Sequence, residues 1–230
     1  MGTLYIDGEP RNIMRISEEE KNDMIYCLAK KILIDGLPID KIVYVLRGAM
    51  IPSRNLGDAL DVDNLSSIKI EKYGKNIGKT IRKKPRITED ITAPLGGLYV
   101  LGFDEVQEYG NTVDLLKRRL KQGNPKRLAR GKPKKVLTSS MVIKPWTIDE
   151  YRPDYWVRMV DKWCVFPGEE MEFIRKVKKS NQERIKGFDD SVLGDLVSPY
   201  LDEVEINRYF ELEKIKLEKE KSEVPNPSLP

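Results

Sequence analysis

The chain has 230 residues, 40% hydrophobic and 34% charged, and it contains no histidine. That is enough for one good-sized α/β domain plus an appendage, or for two small domains, with a proper buried core. The missing histidine excludes Ser-His-Asp and Cys-His nucleophilic machinery and His-ligated zinc, so any proton transfer falls to carboxylates, Lys or Tyr.

The two cysteines, Cys27 and Cys164, fit neither a CxxC nor a zinc spacing. They are expected as small buried hydrophobes in a reducing cytosol. The absence of a signal-like segment and of a long apolar run predicts a soluble, cytoplasmic protein. Abundant Lys and Glu is a pattern of thermophile proteins, which favour ion-pair networks. Residues 181–230 hold 7 Lys/Arg and 12 Asp/Glu, net −5, which leaves +9 of the formal +4 total on residues 1–180. A basic body with an acidic tail points to an anionic ligand, either nucleic acid or a polyphosphate metabolite.

In chain order, Ser17-Glu18-Glu19-Glu20 reads as a capping box. Met24, Ile25, Leu28, Ile32 and Leu33 follow at helical spacing, and Gly36 stops the helix. "KIVYVLRG" is a buried strand, a helix is predicted over Pro52–Leu60, and "LSSIKI" is the next strand. This βαβ alternation implies a parallel sheet. Residues 72–94, rich in Gly, Lys and Thr, break the rhythm and read as a lid or a mobile hairpin. A strand over Leu98–Phe103 and a helix over Thr112–Gln122 come next. After the basic turn "GNPKRLARGKPKK", "VLTSSMVIK" is a strand ended by Pro145, "KWCVFP" a short strand and Glu169–Lys179 a helix. Leu201–Lys221 reads as an amphipathic charged helix with a frayed, Pro-rich end. The predicted domains are residues 1–180 and an acidic helical extension, 181–230.

The stretch "LYVLGFDEVQEYGNTVDLLKRRL", residues 98–120, carries the chemistry. Its apolar run stops at Asp104 and Glu105. Glu108, Gly110 and Thr112 follow, then a cationic helix pattern. In open α/β sheets ligands bind at the carboxyl ends of the strands. A Gly-containing turn there exposes backbone N–H groups, and the following helix N-terminus favours an anion. Neither a Walker loop nor a dinucleotide fingerprint is present. Carboxylates beside a phosphate nest repel the ligand unless they bind its hydroxyls or a metal, so a sugar phosphate with two free hydroxyls and Mg²⁺ suits the pattern. Taken alone, the same acids read as a solvated strand end, and Lys144 reads equally as an exposed strand-end lysine or as a ligand contact. Trp163, and more so Trp146 and Trp156, read as core, and Glu169 and Glu170 as first-turn acids of a helix.

"FDEVQEYGNT" resembles the 5-phosphoribosyl diphosphate (PRPP) signature of the type I phosphoribosyltransferases. "YVLRGAMIPSRNLGDAL" resembles that family's pyrophosphate loop and the helix after it. "SSMVIKPW" with "PDYWVRMVDKWCVFPGEE" resembles the base-binding half of its purine salvage members. The resemblance covers most of residues 15–175. It implies a mainly parallel twisted sheet flanked by helices, a small base-binding hood and a helical C-terminal extension.

The implied activity is Mg²⁺-dependent transfer of the phosphoribosyl group of PRPP to a purine base, giving a nucleoside monophosphate and pyrophosphate, in a homodimer. Asp104 and Glu105 would hold the ribose hydroxyls, directly or through Mg²⁺. Glu108, Tyr109, Gly110, Asn111 and Thr112 would cradle the 5′-phosphate, and Arg47 and Gly48 would grip pyrophosphate, through a cis peptide in many members. Glu108 would be the catalytic base or electrostatic support. Lys144 would meet the purine 6-substituent, Trp163 would stack on the ring near Cys164, and Glu169 or Glu170 would reach a magnesium ion. Lys144 favours a 6-oxopurine, with adenine a close rival. The chain departs from the family where Glu108 stands for an Asp and Tyr109 for a Thr. Those two residues support an alternative reading, a PRPP or nucleotide sensor that has lost turnover. Nucleic-acid binding through the basic segments lacks a helix-turn-helix and interleaved aromatics.

Overall fold

The chain opens on three short strands, β1 (Tyr5–Ile6), β2 (Glu9–Pro10) and β3 (Ile13–Arg15), in a computed structural model that describes residues 4–72, 84–123, 131–149 and 151–223. Then come α1 (Glu18–Ile34), β4 (Lys41–Leu46), α2 (Met50–Leu60), β5 (Leu65–Lys72), β6 (Pro85–Glu89), β7 (Tyr99–Gln107), α3 (Asn111–Lys121) and β8 (Lys135–Ile143). A 3-10 turn at Pro145–Thr147 leads to β9 (Tyr155–Met159), β10 (Trp163–Val165), α4 (Glu170–Asn181), α5 (Asp190–Val197) and α6 (Glu203–Glu223). Two compact units result: Ser17–Asp161, and a second built from residues 4–16 with 162–223.

In the first unit the capping box forms as expected. Glu20 N donates to Ser17 Oγ at 3.1 Å and Ser17 N to Glu20 Oε2 at 3.0 Å, satisfying free N–H groups of α1. Met24, Ile25, Leu28 and Ile32 are buried, whereas Leu33 is exposed because it lies on the other side of the helix. Cys27 is likewise exposed, against expectation, while Cys164 is buried.

The sheet order is β6-β5-β4-β7-β8-β9, parallel throughout except at the antiparallel edge strand β6. From β4 the chain steps out through β5 to β6 on one side and returns to β7 on the other side of β4, which makes the gap beyond β4 and β7 the topological switch point. Gly102 lets α3 close on the sheet: a Cβ there would stand 2.9 Å from a Leu116 methyl. Leu116 and Leu120 pack with Val43, Val45, Ile68, Ile70, Val100 and Val136. The edge is tied down through α3 as well, for the Arg119 guanidinium makes two 2.8 Å hydrogen bonds to the Asp90 carboxylate.

The second unit overturns the expected boundary at residue 180. Leu4, Ile6, Val165, Phe173, Ile174 and Val177 share one buried cluster with Leu193, Val197, Leu201, Ile206 and Tyr209. Residues 181–209 are therefore half of a core and not an extension added to a finished domain. β3 pairs in parallel with β10, and the fully buried Asn181 completes the amino-terminal edge. Its amide donates to Tyr5 O at 2.9 Å and Val177 O at 2.7 Å, and its carbonyl accepts from Tyr5 N at 3.3 Å. The charged helix expected from Leu201 runs from Glu203, behind a box in which Glu205 N donates to Asp202 Oδ1 at 2.9 Å. Among the described residues no helix is long and apolar enough to cross a membrane. The centre of the expected lid (73–83), most of the basic turn (124–130) and the Pro-rich end (224–230) lie outside the described residues.

Candidate active site at the sheet switch point

Two segments leave the sheet side by side at the switch point. β4 ends at Leu46, the Leu46–Arg47 peptide is cis, and Gly48 follows immediately before α2. β7 is longer than the predicted Leu98–Phe103. It runs on to Gln107, so Asp104 and Glu105 are strand residues and not a strand end. The extra residues pair with β8: Asp104 lies opposite Ser140, and Val106 and Gln107 opposite Val142 and Ile143. The ladder thus holds the two acids on rigid backbone.

Gly48 and Glu105 meet closely. A Cβ built at Gly48 would run into Glu105 Oε1, so only glycine allows this carboxylate to rest against the loop. Asp104 is half-buried, and its Oδ1 accepts a hydrogen bond from Glu105 N at 3.0 Å. Arg47, at the same turn, is exposed.

The turn after β7 delivers the chain to α3. Gly110 is its N-cap residue, with φ +75°, and it has no side chain to cap the helix. The first N–H groups of α3 therefore lack both an intrahelical partner and a cap from Gly110, and they carry the positive end of the helix dipole. Glu108, Tyr109, Asn111 and Thr112 are all half-buried around this turn.

Lys144 is not the exposed strand-end lysine of the simpler reading. It is fully buried, with Nζ 3.5 Å from Glu108 Oε2. A buried ammonium is tolerated when paired, and here the Glu108 carboxylate lies beside it. Anionic turn, basic strand end and acidic strand thus converge within the first unit. Trp146 is about half exposed, not core, and Trp156 is partly buried beneath Lys31, whose Nζ lies 5.5 Å from the ring centroid.

The remaining expected residues sit in the second unit. Trp163 stacks on Phe173 at 5.9 Å between centroids, with Lys176 Nζ 5.0 Å from the indole, and Cys164 is buried in β10. Glu169 Oε2 accepts from Phe166 N at 3.1 Å and Glu170 Oε1 from Gly168 N at 3.0 Å, so both acids cap the local backbone at the start of α4. Among the described residues no three Asp, Glu, Cys or His side chains gather into a metal cage. Asp104 and Glu105 fit Mg²⁺ in the other way open to it, with one or two carboxylates supplementing the oxygens of a bound phosphate ligand.

Sequence reasoning missed Gln107, Trp146 and Tyr151. The Gln107 amide donates to Tyr151 O, the Tyr151 ring covers Gly110, and Trp146 Nε1 donates to Glu108 O at 2.9 Å. No periodicity marks these residues; only the glycine at 110 signals that something must approach there.

No family model matches the chain, and no curated protein does. Solved structures do. The chain is 28% identical to the purine phosphoribosyltransferase of Pyrococcus horikoshii, over 68% of this chain and 93% of that one, with a TM-score of 0.55. The Helicobacter pylori xanthine-guanine-hypoxanthine phosphoribosyltransferase matches at 20% identity, covering 76% of this chain and 100% of its own, at TM-score 0.56. A hypothetical protein from Neisseria gonorrhoeae with bound ppGpp matches at 18% identity, 76% and 99% coverage and TM-score 0.57. These last two likenesses concern the fold alone.

Proposed function

We propose that this chain, which has the type I phosphoribosyltransferase fold and is related to a purine phosphoribosyltransferase, is a salvage enzyme. It transfers the phosphoribosyl group of PRPP to a purine base, releasing pyrophosphate. The observation that carries the reading is the convergence at one switch point of the Asp104–Glu105 pair, the glycine-capped turn at 108–112, and the Arg47–Gly48 loop.

The residues divide the work by charge. The N–H groups at the start of α3 suit the 5′-phosphate, and Arg47 with the Gly48 backbone suits pyrophosphate. Asp104 and Glu105 suit the ribose hydroxyls, directly or with Mg²⁺ between. That ion would neutralise charge on the departing pyrophosphate. As the bond to pyrophosphate breaks, positive charge grows on the ribose ring, and the Glu108 carboxylate stabilises it and accepts the proton that the purine loses. Lys144, held beside Glu108, donates to a 6-oxo group, which favours hypoxanthine or guanine over adenine. The chain is proposed to act as a cytoplasmic homodimer.

The test is a panel of hypoxanthine, guanine, xanthine and adenine with excess Mg²⁺ and PRPP, following pyrophosphate release. Nucleotide formation with a 6-oxopurine, abolished by chelating the metal, is the expected result. If no purine reacts while nucleotides still bind, the sensor reading, motivated by Glu108 and Tyr109, replaces the enzyme.

A further inference from the structure

The run that follows β8 is stitched to the turn that follows β7 at several points. Lys144 Nζ reaches the Glu108 carboxylate, and Trp146 Nε1 donates to the Glu108 carbonyl at 2.9 Å. Immediately before Glu108, Gln107 holds the Tyr151 carbonyl, and two residues after it the Tyr151 ring lies on Gly110. The run is itself braced, for Thr147 N and Oγ1 donate to Lys144 O at 3.0 and 2.8 Å, and Tyr151 N donates to Thr147 O at 3.0 Å. Lys144, Gln107 and Thr147 are buried, so these anchors have a fixed place.

Trp146 differs from the other anchors. Its ring is about half exposed, so little core packing depends on it, yet its one polar atom is spent on a backbone carbonyl inside the turn. The Glu108 peptide sets two directions at once: where the Glu108 carboxylate points, and how the amides of the turn approach α3. An indole N–H on that carbonyl fixes the peptide plane without adding charge to the site.

We propose that Trp146 is a positioning residue: its N–H orients the Glu108 peptide so that the 108–112 turn is set for a 5′-phosphate and the Glu108 carboxylate for the acceptor base. The inference rests on the phosphoribosyl-transfer reading and names a residue that reading does not require.

The experiment compares Trp146→Phe, which keeps a ring and loses the donor, with Trp146→Gln, which restores an N–H of similar reach without the ring. Nucleoside monophosphate (IMP and GMP) and pyrophosphate binding are measured by calorimetry, and steady-state kinetics with Mg-PRPP are run beside them. Loss of one neutral hydrogen bond predicts about three- to tenfold weaker nucleotide binding in Trp146→Phe. Misplacement of Glu108 adds a fall in kcat of up to about 10²-fold. Pyrophosphate affinity is unchanged, because pyrophosphate does not use the turn, and Trp146→Gln returns most of the lost nucleotide affinity. A generally loosened fold weakens both ligands alike, and that result overturns the assignment. So does nucleotide affinity at the parent level in Trp146→Phe, or an equal loss in both variants, which would trace the effect to the ring. If the parent chain binds neither nucleotide nor PRPP, the reading of the whole site falls, an outcome distinct from a Trp146 result with an active parent.

Discussion

Gly48 and Gly110 both admit a neighbour that a Cβ would strike, and replacing each by alanine should have opposite consequences. At Gly110 the backbone is left-handed, φ +75°, which costs an L-residue about 1–2 kcal/mol. The new methyl also meets the Tyr151 ring close to its own backbone, where it cannot swing clear, and overpacking of this kind costs about 1–3 kcal/mol. Gly110→Ala should therefore lose about 2–5 kcal/mol, a fall in melting midpoint of about 4–20 °C for a chain of this size. Gly48 is not left-handed, and what its methyl meets is the far end of the Glu105 side chain. Moving that carboxylate to another rotamer costs about 0.5–1.5 kcal/mol, and the stiffer unfolded chain offsets about 0.4–1 kcal/mol of it. Gly48→Ala should thus melt close to the parent while displacing a carboxylate assigned to the ribose. Loss of a charged hydrogen bond, about 1.5–3 kcal/mol, predicts about 10- to 100-fold weaker nucleotide binding. Calorimetric melting of both variants, with nucleotide titration of Gly48→Ala, makes the comparison. A Gly48→Ala protein that melts below Gly110→Ala, or that binds nucleotide as the parent does, would refute the reasoning.

Glu108→Gln retains an acceptor for Lys144 but cannot take a proton, so kcat should fall about 10²- to 10⁴-fold with PRPP affinity little changed, while Glu108→Asp keeps much of the activity. Steady-state kinetics decide it, and turnover within a few-fold of the parent in Glu108→Gln would remove the residue as base. Leu193→Ala removes a fully buried side chain from the second unit and should cost about 2–5 kcal/mol. It should speed amide exchange along β3 and β10 more than along α3. The Ser17 backbone N–H, followed by Arg158, holds the Glu20 carboxyl below its ordinary value of 4.5. A carboxyl depressed in the folded state stabilises above the unfolded value, and that stability is lost as pH falls through the folded one. The melting deficit of Glu20→Gln relative to the parent should therefore be full at pH 7 and close below about pH 4.5, and a deficit independent of pH would contradict it.

Much of the sheet was legible because its strands are continuous apolar runs and its first helix carries its own cap. The site's order along the chain was legible for the same reason, since acids, glycine and a helix start share one short segment. The end of β7 was not, because Asp104 and Glu105 look like a stop when composition is the guide. The ladder to Ser140 and Val142 overrides that composition. By residue type alone Lys144 fits an exposed strand end as well as a ligand contact, and its burial depends on a carboxylate 36 residues away in sequence. Strand β9 and helix α5 are short, and β9 shows no alternation of its own to mark it, although Pro153 precedes β9 and Asp189 caps α5. The boundary at 180 rested on a change of charge, and charge says nothing of which apolar residues meet beneath it.

The second unit draws its core from residues 4 and 6 and from residues 165–209, with the whole first unit between them in sequence. During synthesis, the segment 17–161 is complete and able to close while the partners of Leu4 and Ile6 are still unmade. The amino-terminal hairpin must wait, apolar face uncovered, for more than 150 further residues, until Asn181 and the helices beyond it emerge. The long loop this closes is entropically slow to form. The waiting strands are consequently the part of this chain most in need of shielding before folding ends.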